Sequence, residues 1–590
     1  MIPAMDHPTS SPVGRSLIAI FSLVLLFTAQ PGAYLSGNWD PGVYLGHGAL
    51  IDRHGLLMSA PDAAASLLTV TQTALLYPEH HGATIKTPGF FSPGPPFGTL
   101  LPQFLPGYPL ALGAAFALGG LPAALRLDAL LVALAVVILA LWAERRTAAP
   151  PAFWCTVALI GLHPVTIWFA RFHTAESLAL LLGAWWLTGL CPAPAAQPTS
   201  RLLHLARIVP PIAMSWTTPA TWPLVLGSSL FALAPGSSTG ARLTTALTAL
   251  AGPASAALTL LALDHPYARH LLAVTPPLRQ YLILGTFMAG GVALLLAITH
   301  RIATRCSART RSPRPATTAL CAALLVALTA AAPYLAPPFA DGLLVLTPLA
   351  LWVVAAPGFL SHDPRDRFRQ TVLFALTAAL TIYFLLAPAM PALYPWTWKR
   401  WWWWTLPVAS AAAAVAIAAR ASRAARASRA APTFRHRIAI PAATTAALLL
   451  LPWLWCAPIA TTTAWRGLPA WMATLSASLP PDAIVLAEKT LAAPLEFLHG
   501  HLVVPLYADD TATTRTPHYL DLLAAHPDRT FALVANAPPP PWWPAARALP
   551  VALTPYEGHW IKPQPAPFGF IRESRRFDPV VSLLPPTSAP

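Results

Sequence analysis

Apolar runs of membrane-spanning or near-spanning length recur along this chain through residue 457, and that recurrence constrains the fold more than any other feature. They fall at about 16–30, 127–143, 152–170, 175–190, 205–217, 220–234, 243–263, 281–299, 317–333, 341–356, 371–387, 405–419 and 438–457. A chain that is 56% hydrophobic and only 10% charged, with a mean hydropathy of +0.56, is not composed like a soluble globular protein. Several runs are shorter than the roughly 20 residues a full span prefers, so their edges are soft.

Arginine sets the orientation, because short cytoplasmic loops retain Lys and Arg. The groups Arg145–Arg146, Arg301–Arg314, Arg365–Arg369 and Arg420–Arg437 fall in alternate loops if the N-terminus is inside. The expectation is about thirteen transmembrane helices, with the 31–126 loop and the region beyond 458 both outside the cytoplasmic membrane. The net charge of +15 and the pI near 10.1 follow largely from that topology. Nucleic acid is excluded as a partner, since the arginines are divided among separate short loops without interleaved aromatics. Residues 15–27 carry a basic flank and an apolar stretch like a signal peptide, yet no clean small-residue cleavage site follows, and the segment is expected to stay as an anchor. The five cysteines lie in or beside apolar runs and have neither a disulfide framework nor zinc spacing.

Four regions result: a first transmembrane helix (1–30), an extracytoplasmic first loop with membrane-surface helices (31–126), a helical bundle (127–457) and an extracytoplasmic C-terminal domain (458–590). In the loop, 46–55 and 62–77 read as short amphipathic helices, and the Pro/Gly-rich stretch 87–109 is not regular helix throughout. Residues 110–121 are apolar but short, which suggests a membrane-surface or re-entrant helix. In the C-terminal region, strand-like runs at 483–487, 502–507 and 531–534 alternate with helical patterns at 468–479 and 519–525, the order of a small α/β domain. The Pro-rich stretches 538–541 and 585–590 read as irregular.

Asp40 stands in Asn38-Trp39-Asp40-Pro41-Gly42-Val43-Tyr44, just beyond the first apolar run. By itself Asp-Pro-Gly is good chemistry for an Asx-type turn, and that reading stays open. With the long outside loop that closes through Lys86-Thr87-Pro88-Gly89 and Phe104-Leu105-Pro106-Gly107-Tyr108-Pro109, and with the later Ala170-Arg171-Phe172-His173-Thr174-Ala175-Glu176, the chain resembles the GT-C superfamily. The nearest members in organisation are the protein O-mannosyltransferases, the lipid A aminoarabinose transferases and similar bacterial polyprenyl-phosphate-sugar transferases. The likeness of organisation covers nearly the whole chain, whereas each local motif spans only a few residues.

The resemblance implies an all-α polytopic bundle of GT-C type with a small extracytoplasmic α/β domain, and an inverting transfer of a sugar from a polyprenyl-phosphate carrier. The acceptor is a lipid, a protein or a polysaccharide, and the bilayer is the third partner. Asp40 matches the first-loop aspartate, where a carboxylate would take the acceptor proton. Glu176 matches the acidic residue of the second outside loop, although a charge at a helix start capped by Thr174 explains it equally. Lys86, Lys399, Arg400 and Arg171 are the candidates to hold the donor phosphate, and Trp39, Tyr44 and His173 those to contact acceptor or sugar. Trp401–Trp404 read either as interfacial anchors or as sugar-stacking rings. No cofactor is certain. A divalent metal ion held by Glu79, His80 and His81, with His47 and His54, is a weaker candidate against simple solvation of adjacent histidines.

Two other classes compete. A multi-pass transporter or lipid flippase would carry ionisable groups deep within its helices, which the apolar runs here almost entirely lack. A membrane scaffold would explain the C-terminal domain but not the first-loop carboxylate.

Overall fold

The computed structural model describes residues 14, 31–35, 40–55, 57–80, 83–191, 201–233, 238–268, 368–374, 376–377, 380, 402–427, 434–507, 512–545, 547–563 and 570–587. The runs 16–30, 281–299, 317–333 and 341–356 lie outside the described residues, as does most of 371–387.

The first loop is more regular than its sequence suggests. Helix α1 (Asp40–His54) begins with Asp40 in its first turn, where an acidic side chain faces the positive end of the helix dipole and Pro41 costs no hydrogen bond. The expected start at 46 is therefore too late, and the Asp-Pro-Gly triplet opens a helix instead of a free turn. Five short strands follow: β1 (Ala60–Pro61), then, after a 3-10 turn at Ala63–Leu67 and helix α2 (Val70–Leu76), β2 (Glu79–His80), β3 (Ala83–Thr87), β4 (Phe90–Ser92) and β5 (Thr99–Pro102). They form an antiparallel sheet in the order β1-β5-β4-β3-β2. A capping box between Thr69 and Gln72 starts α2.

Helix α3 (Gly107–Ala124) has non-helical backbone at Gly119 and Gly120, where φ is +64° at Gly120. It spans 18 residues and packs along α1, so 110–121 belongs to a longer apolar element than expected. The bundle continues through α4 (Leu127–Thr147), α5 (Pro150–Thr156), α6 (Pro164–Phe169), α7 (Ala175–Leu190), α8 (Arg201–Ser215), α9 (Trp222–Gly227), α10 (Thr239–Ala262), α11 (Thr405–Ala427) and α12 (Phe434–Thr461). The 152–170 run is broken by a π turn at Val157–Gly161 and restarts at Pro164, where the His163 ring accepts from the Val165 N–H. Among the described residues, α3, α4 and α10 are long and apolar enough to cross a membrane. On α10, Leu243, Leu247, Leu250, Leu258 and Leu261 are each more than half exposed along one stripe, a surface suited to lipid.

The C-terminal region holds α13 (Leu468–Ala477), β6 (Ile484–Glu488), α14 (Lys489–Phe497), β7 (Leu502–Leu506), α15 (Ala512–Ala525), β8 (Phe531–Ala535), β9 (Leu549–Val551), β10 (Tyr556–Pro563), β11 (Phe570–Phe577) and β12 (Val580–Leu584). Its sheet runs β7-β6-β8-β12-β9, with β6 parallel to both β7 and β8, and β10 and β11 form a separate hairpin. The strands and helices expected here are present, and α14 with β9–β12 are additions. Residues alternate between the two faces of the sheet, as strand geometry requires. Val485, Ala487, Val503, Ala532 and Val534 join the large core shared with the bundle. Ile484, Leu486, Val504 and Leu533 instead bury Ala64, Leu76 and Tyr77 of the first loop. The first loop and the C-terminal domain are thus packed into each other.

The contact of α1 with α3 depends on small residues. A Cβ at Gly48 would sit 2.6 Å from the Leu112 Cβ, and one at Gly113 would sit 2.9 Å from Ile51. Gly48→Val is expected to cost about 1–3 kcal/mol by overpacking, read as a lower unfolding midpoint in detergent. Gly240→Ala, with open space around it in the first turn of α10, is expected to leave the midpoint unchanged or raise it.

Candidate active site

Tyr44 lies at the centre of the site. One turn along α1 from Asp40, its ring stacks on Phe104 with centroids 4.2 Å apart and meets Tyr108 edge-on at 5.1 Å. Burial, then the negative charges of Glu176 and Asp40, push its phenol well above the ordinary tyrosine value, and the Ala175 N–H at the start of α7 lies within reach of it. The structure therefore brings Asp40, Tyr44 and Glu176 together from elements separated by the whole first loop. Asp40 is half-buried, while Glu176 is 3% exposed and its Oε2 has no hydrogen-bond partner. Thr174 occupies the N-cap position of α7, but its hydroxyl makes no cap bond and is itself unpartnered. The capping account of this segment fails at that point, and Glu176 remains as the charged group in the first turn.

Behind Tyr44 stands a buried group that the sequence did not single out. Asp128, in the first turn of α4 and wholly buried, accepts from the Tyr108 hydroxyl at 2.7 and 2.8 Å. Its Oδ2 lies 2.6 Å from His173 Nδ1, and His173 Nε2 lies 3.0 Å from the Gly32 carbonyl. Both ring nitrogens face acceptors, an arrangement that a doubly protonated imidazole satisfies. His173 is thus engaged inside the protein and, with Asp128, ties the 31–35 segment, the end of the first loop and the 170–174 segment to one point. The signal available for Asp128 was its place at the start of an apolar run, where a lone carboxylate is costly.

Lys86 is also engaged. Its Nζ lies 2.6 Å from Asp62 Oδ1 and 2.6 Å from Glu496 Oε1, with the ammonium wholly buried. Tyr77 donates to Asp62 Oδ2 at 3.0 Å, and the Tyr507 hydroxyl donates to the Lys86 carbonyl at 2.8 Å. Burial works against the ammonium, and the charges of Glu496 and Asp62 outweigh it, so Lys86 titrates above its usual range. Burial and the Asp62 charge, opposed by Lys86, push Glu496 up to about 7.

Arg171 is buried beside the first loop, donating through Nη1 to the Ala460 carbonyl at 2.7 Å, with its Nε unpartnered. Burial lowers it to about 10. Its own carbonyl accepts from the Gly32 N–H at 3.1 Å. Trp39, Lys399, Arg400, Trp401 and His81 lie outside the described residues. Glu79 is exposed on β2, where it pairs in register with Thr84, and His80 pairs with Ala83. His54 is exposed at the end of α1, and His47 is buried against the Leu57 carbonyl at 2.8 Å. Among the described residues no three His, Cys, Asp or Glu side chains form a metal-ligating group. Trp402, Trp403 and Trp404 are almost completely buried, so the interfacial-anchor reading of these three is corrected. Trp402 stacks on Phe169 at 4.5 Å and donates to Thr166, and Trp404 donates to Thr377. A run of indoles at a helix start reads alike in sequence whether it meets headgroups or a neighbouring helix.

No protein-family model matches the chain, and no curated protein matches it. Among solved structures it is similar to ArnT from Cupriavidus metallidurans in the apo state, with a TM-score of 0.50 at 13% identity over 96% of this chain and 97% of that one. ArnT from the same organism bound to undecaprenyl phosphate gives a TM-score of 0.48 at 14% identity over 97% of this chain and 98% of that one. The full-length likeness to the apo structure shows the fold, a mostly helical one with C-terminal strands like that of ArnT.

If the Asp128–His173 pair organises this site, removing one partner leaves an uncompensated buried charge. Asp128→Ala is expected to lower stability by about 3–5 kcal/mol, measured by thermal unfolding in detergent. Asp52→Ala, at an exposed position on α1, is expected to stay within about 0.5 kcal/mol of the wild type.

Proposed function

We infer that the chain is an inverting glycosyltransferase that moves a sugar from a polyprenyl-phosphate carrier to an acceptor at the outer face of the cytoplasmic membrane. The observation that carries this reading is the convergence of Asp40 and Glu176 on Tyr44 within the fold of ArnT. Likeness of fold alone does not define an activity, so the weight rests on the two carboxylates.

The reaction forms a bond between the acceptor oxygen and the anomeric carbon while the bond from that carbon to the lipid phosphate breaks. Attack from the face opposite the phosphate inverts the configuration. Asp40, half-buried in the first turn of α1, takes the acceptor proton as general base. Glu176, with an unpartnered oxygen in a buried setting, accepts a second acceptor hydroxyl and orients it. Tyr44 supplies an aromatic wall beside both, and Trp39 is assigned to acceptor or sugar contact. Arg171, Lys399 and Arg400 are assigned to the departing phosphate, with Lys86 as the first-loop contribution. His173 serves by fixing the second outside loop. The acceptor is a lipid, protein or polysaccharide hydroxyl, and the C-terminal domain borders the site from outside. No step is assigned to a metal ion.

The transporter alternative receives no support from the charge placement. The buried charges Asp128, Glu176, Arg171 and His173 stand at helix starts and in the 170–174 segment, where a reaction at the membrane surface needs them.

Asp40→Asn is expected to reduce sugar transfer by about 10²–10⁴-fold while leaving donor KM nearly unchanged, because it removes the base and keeps the shape. The assay compares sugar release from labelled polyprenyl-phosphate-sugar donors by membranes carrying wild type or variant at matched expression. Equal turnover in the two would remove Asp40 from catalysis.

A further inference from the structure

Lys86, Asp62 and Glu496 form a buried cluster with one cation and two carboxylates, assembled from the first loop and the C-terminal domain. The ammonium has three donors. Two are spent, on Asp62 Oδ1 and Glu496 Oε1, each at 2.6 Å. Asp62 is fixed by further bonds, since it accepts from Tyr77 and from the Ala65 N–H at 3.3 Å, while its own N–H donates to the Gly98 carbonyl. Glu496 is held differently. Its Oε1 meets only Lys86, its Oε2 has no partner, and its side chain is one-tenth exposed. Of the two carboxylates, Glu496 is the one free to move.

We propose that Glu496 is a latch on Lys86, by which the C-terminal domain controls whether the first-loop ammonium can engage the phosphate of an anionic lipid donor. The proposal rests on the donor-phosphate reading of Lys86 given above. With Glu496 charged, the cluster carries one surplus negative charge and repels a phosphate. With Glu496 protonated, the surplus is gone, its charged hold on Lys86 becomes a neutral hydrogen bond, and a donor of the ammonium is released toward the phosphate. The burial-raised titration of Glu496 near 7 puts this change at neutral pH.

Among the described residues, the groups around Glu496 do not supply a competing switch. Lys86 on β3 faces Glu496, Asp62 stands across it, and Tyr77 and Tyr507 are phenols on the same cluster. From α1, the Arg53 guanidinium donates to the Glu496 and Leu498 carbonyls at 3.3 and 2.7 Å, which anchors the end of α14 by its backbone. His499 and His501 follow on the same segment, and burial lowers both below the ordinary histidine value, which favours their neutral forms. Glu496 is therefore a positioning residue that acts through Lys86.

The test is the pH dependence of donor binding by the full-length protein in nanodiscs, using a polyprenyl-phosphate-sugar phosphodiester, whose single charge is constant from pH 6 to 8. For wild type, affinity is expected to fall by up to about tenfold between pH 6 and pH 8, the fall in the protonated fraction of a group titrating near 7. Glu496→Gln, which keeps the shape and cannot ionise, is expected to hold the pH 6 affinity across the range. Lys86→Met is expected to bind weakly at every pH with no dependence. The same slope in wild type and Glu496→Gln would overturn the latch while leaving the donor reading intact. If Glu496→Gln unfolds, a slope in wild type that Lys86→Met retains overturns it instead. No binding by wild type at any pH would overturn the donor reading and the latch together.

Discussion

His173 presents both ring nitrogens to oxygen acceptors, the Asp128 carboxylate at 2.6 Å and the Gly32 carbonyl at 3.0 Å, in a setting closed to water. Buried polar groups in such a place are costly to leave unmatched, so the groups that satisfy them are held in one geometry. The Tyr108 hydroxyl completes the Asp128 carboxylate, and Tyr108 supports Tyr44, whose phenol feels the charges of both Glu176 and Asp40. Three segments far apart in sequence thereby meet at one point.

The C-terminal domain adds a second constraint. Its central strands are apolar on both faces, and each face has a different client: the bundle on one side, the first loop on the other. A sheet committed in this way cannot be a loosely tethered appendage. The Lys86 cluster lies on the same boundary, and there the packing becomes electrostatic. One ammonium shared between a well-anchored aspartate and a loosely held glutamate gives a joint that is firm on one side and adjustable on the other.

How much of this was legible in the sequence depends on the range over which each signal acts. The membrane class was legible because apolar runs are local and long, and the α/β order of the C-terminal domain because buried parallel strands are short continuous apolar runs. Asp40 and Glu176 stood out as charges at the ends of apolar runs, and in the structure both act on the Tyr44 phenol. The first-loop sheet was not legible, since its strands are two to five residues long and too short for a period to appear. Glu496 and Asp62 were invisible as a pair, because neither has an unusual neighbourhood in sequence and their meeting depends on the tertiary fold. Trp402–Trp404 misled for a different reason: indoles favour both interfaces and tight helix contacts, and Gly183, whose Cβ would lie 3.1 Å from Trp404, is what admits the second arrangement.

The most direct measurement of the central claim is the anomeric configuration of the product formed by purified wild-type protein reconstituted with a polyprenyl-phosphate-sugar donor and an acceptor hydroxyl, determined by NMR. A single displacement assisted by Asp40 predicts release of the lipid phosphate together with a product of inverted configuration. Retained configuration would contradict the single-displacement site drawn here, and absence of transfer from every polyprenyl-phosphate sugar would contradict the assignment of the chain as a glycosyltransferase.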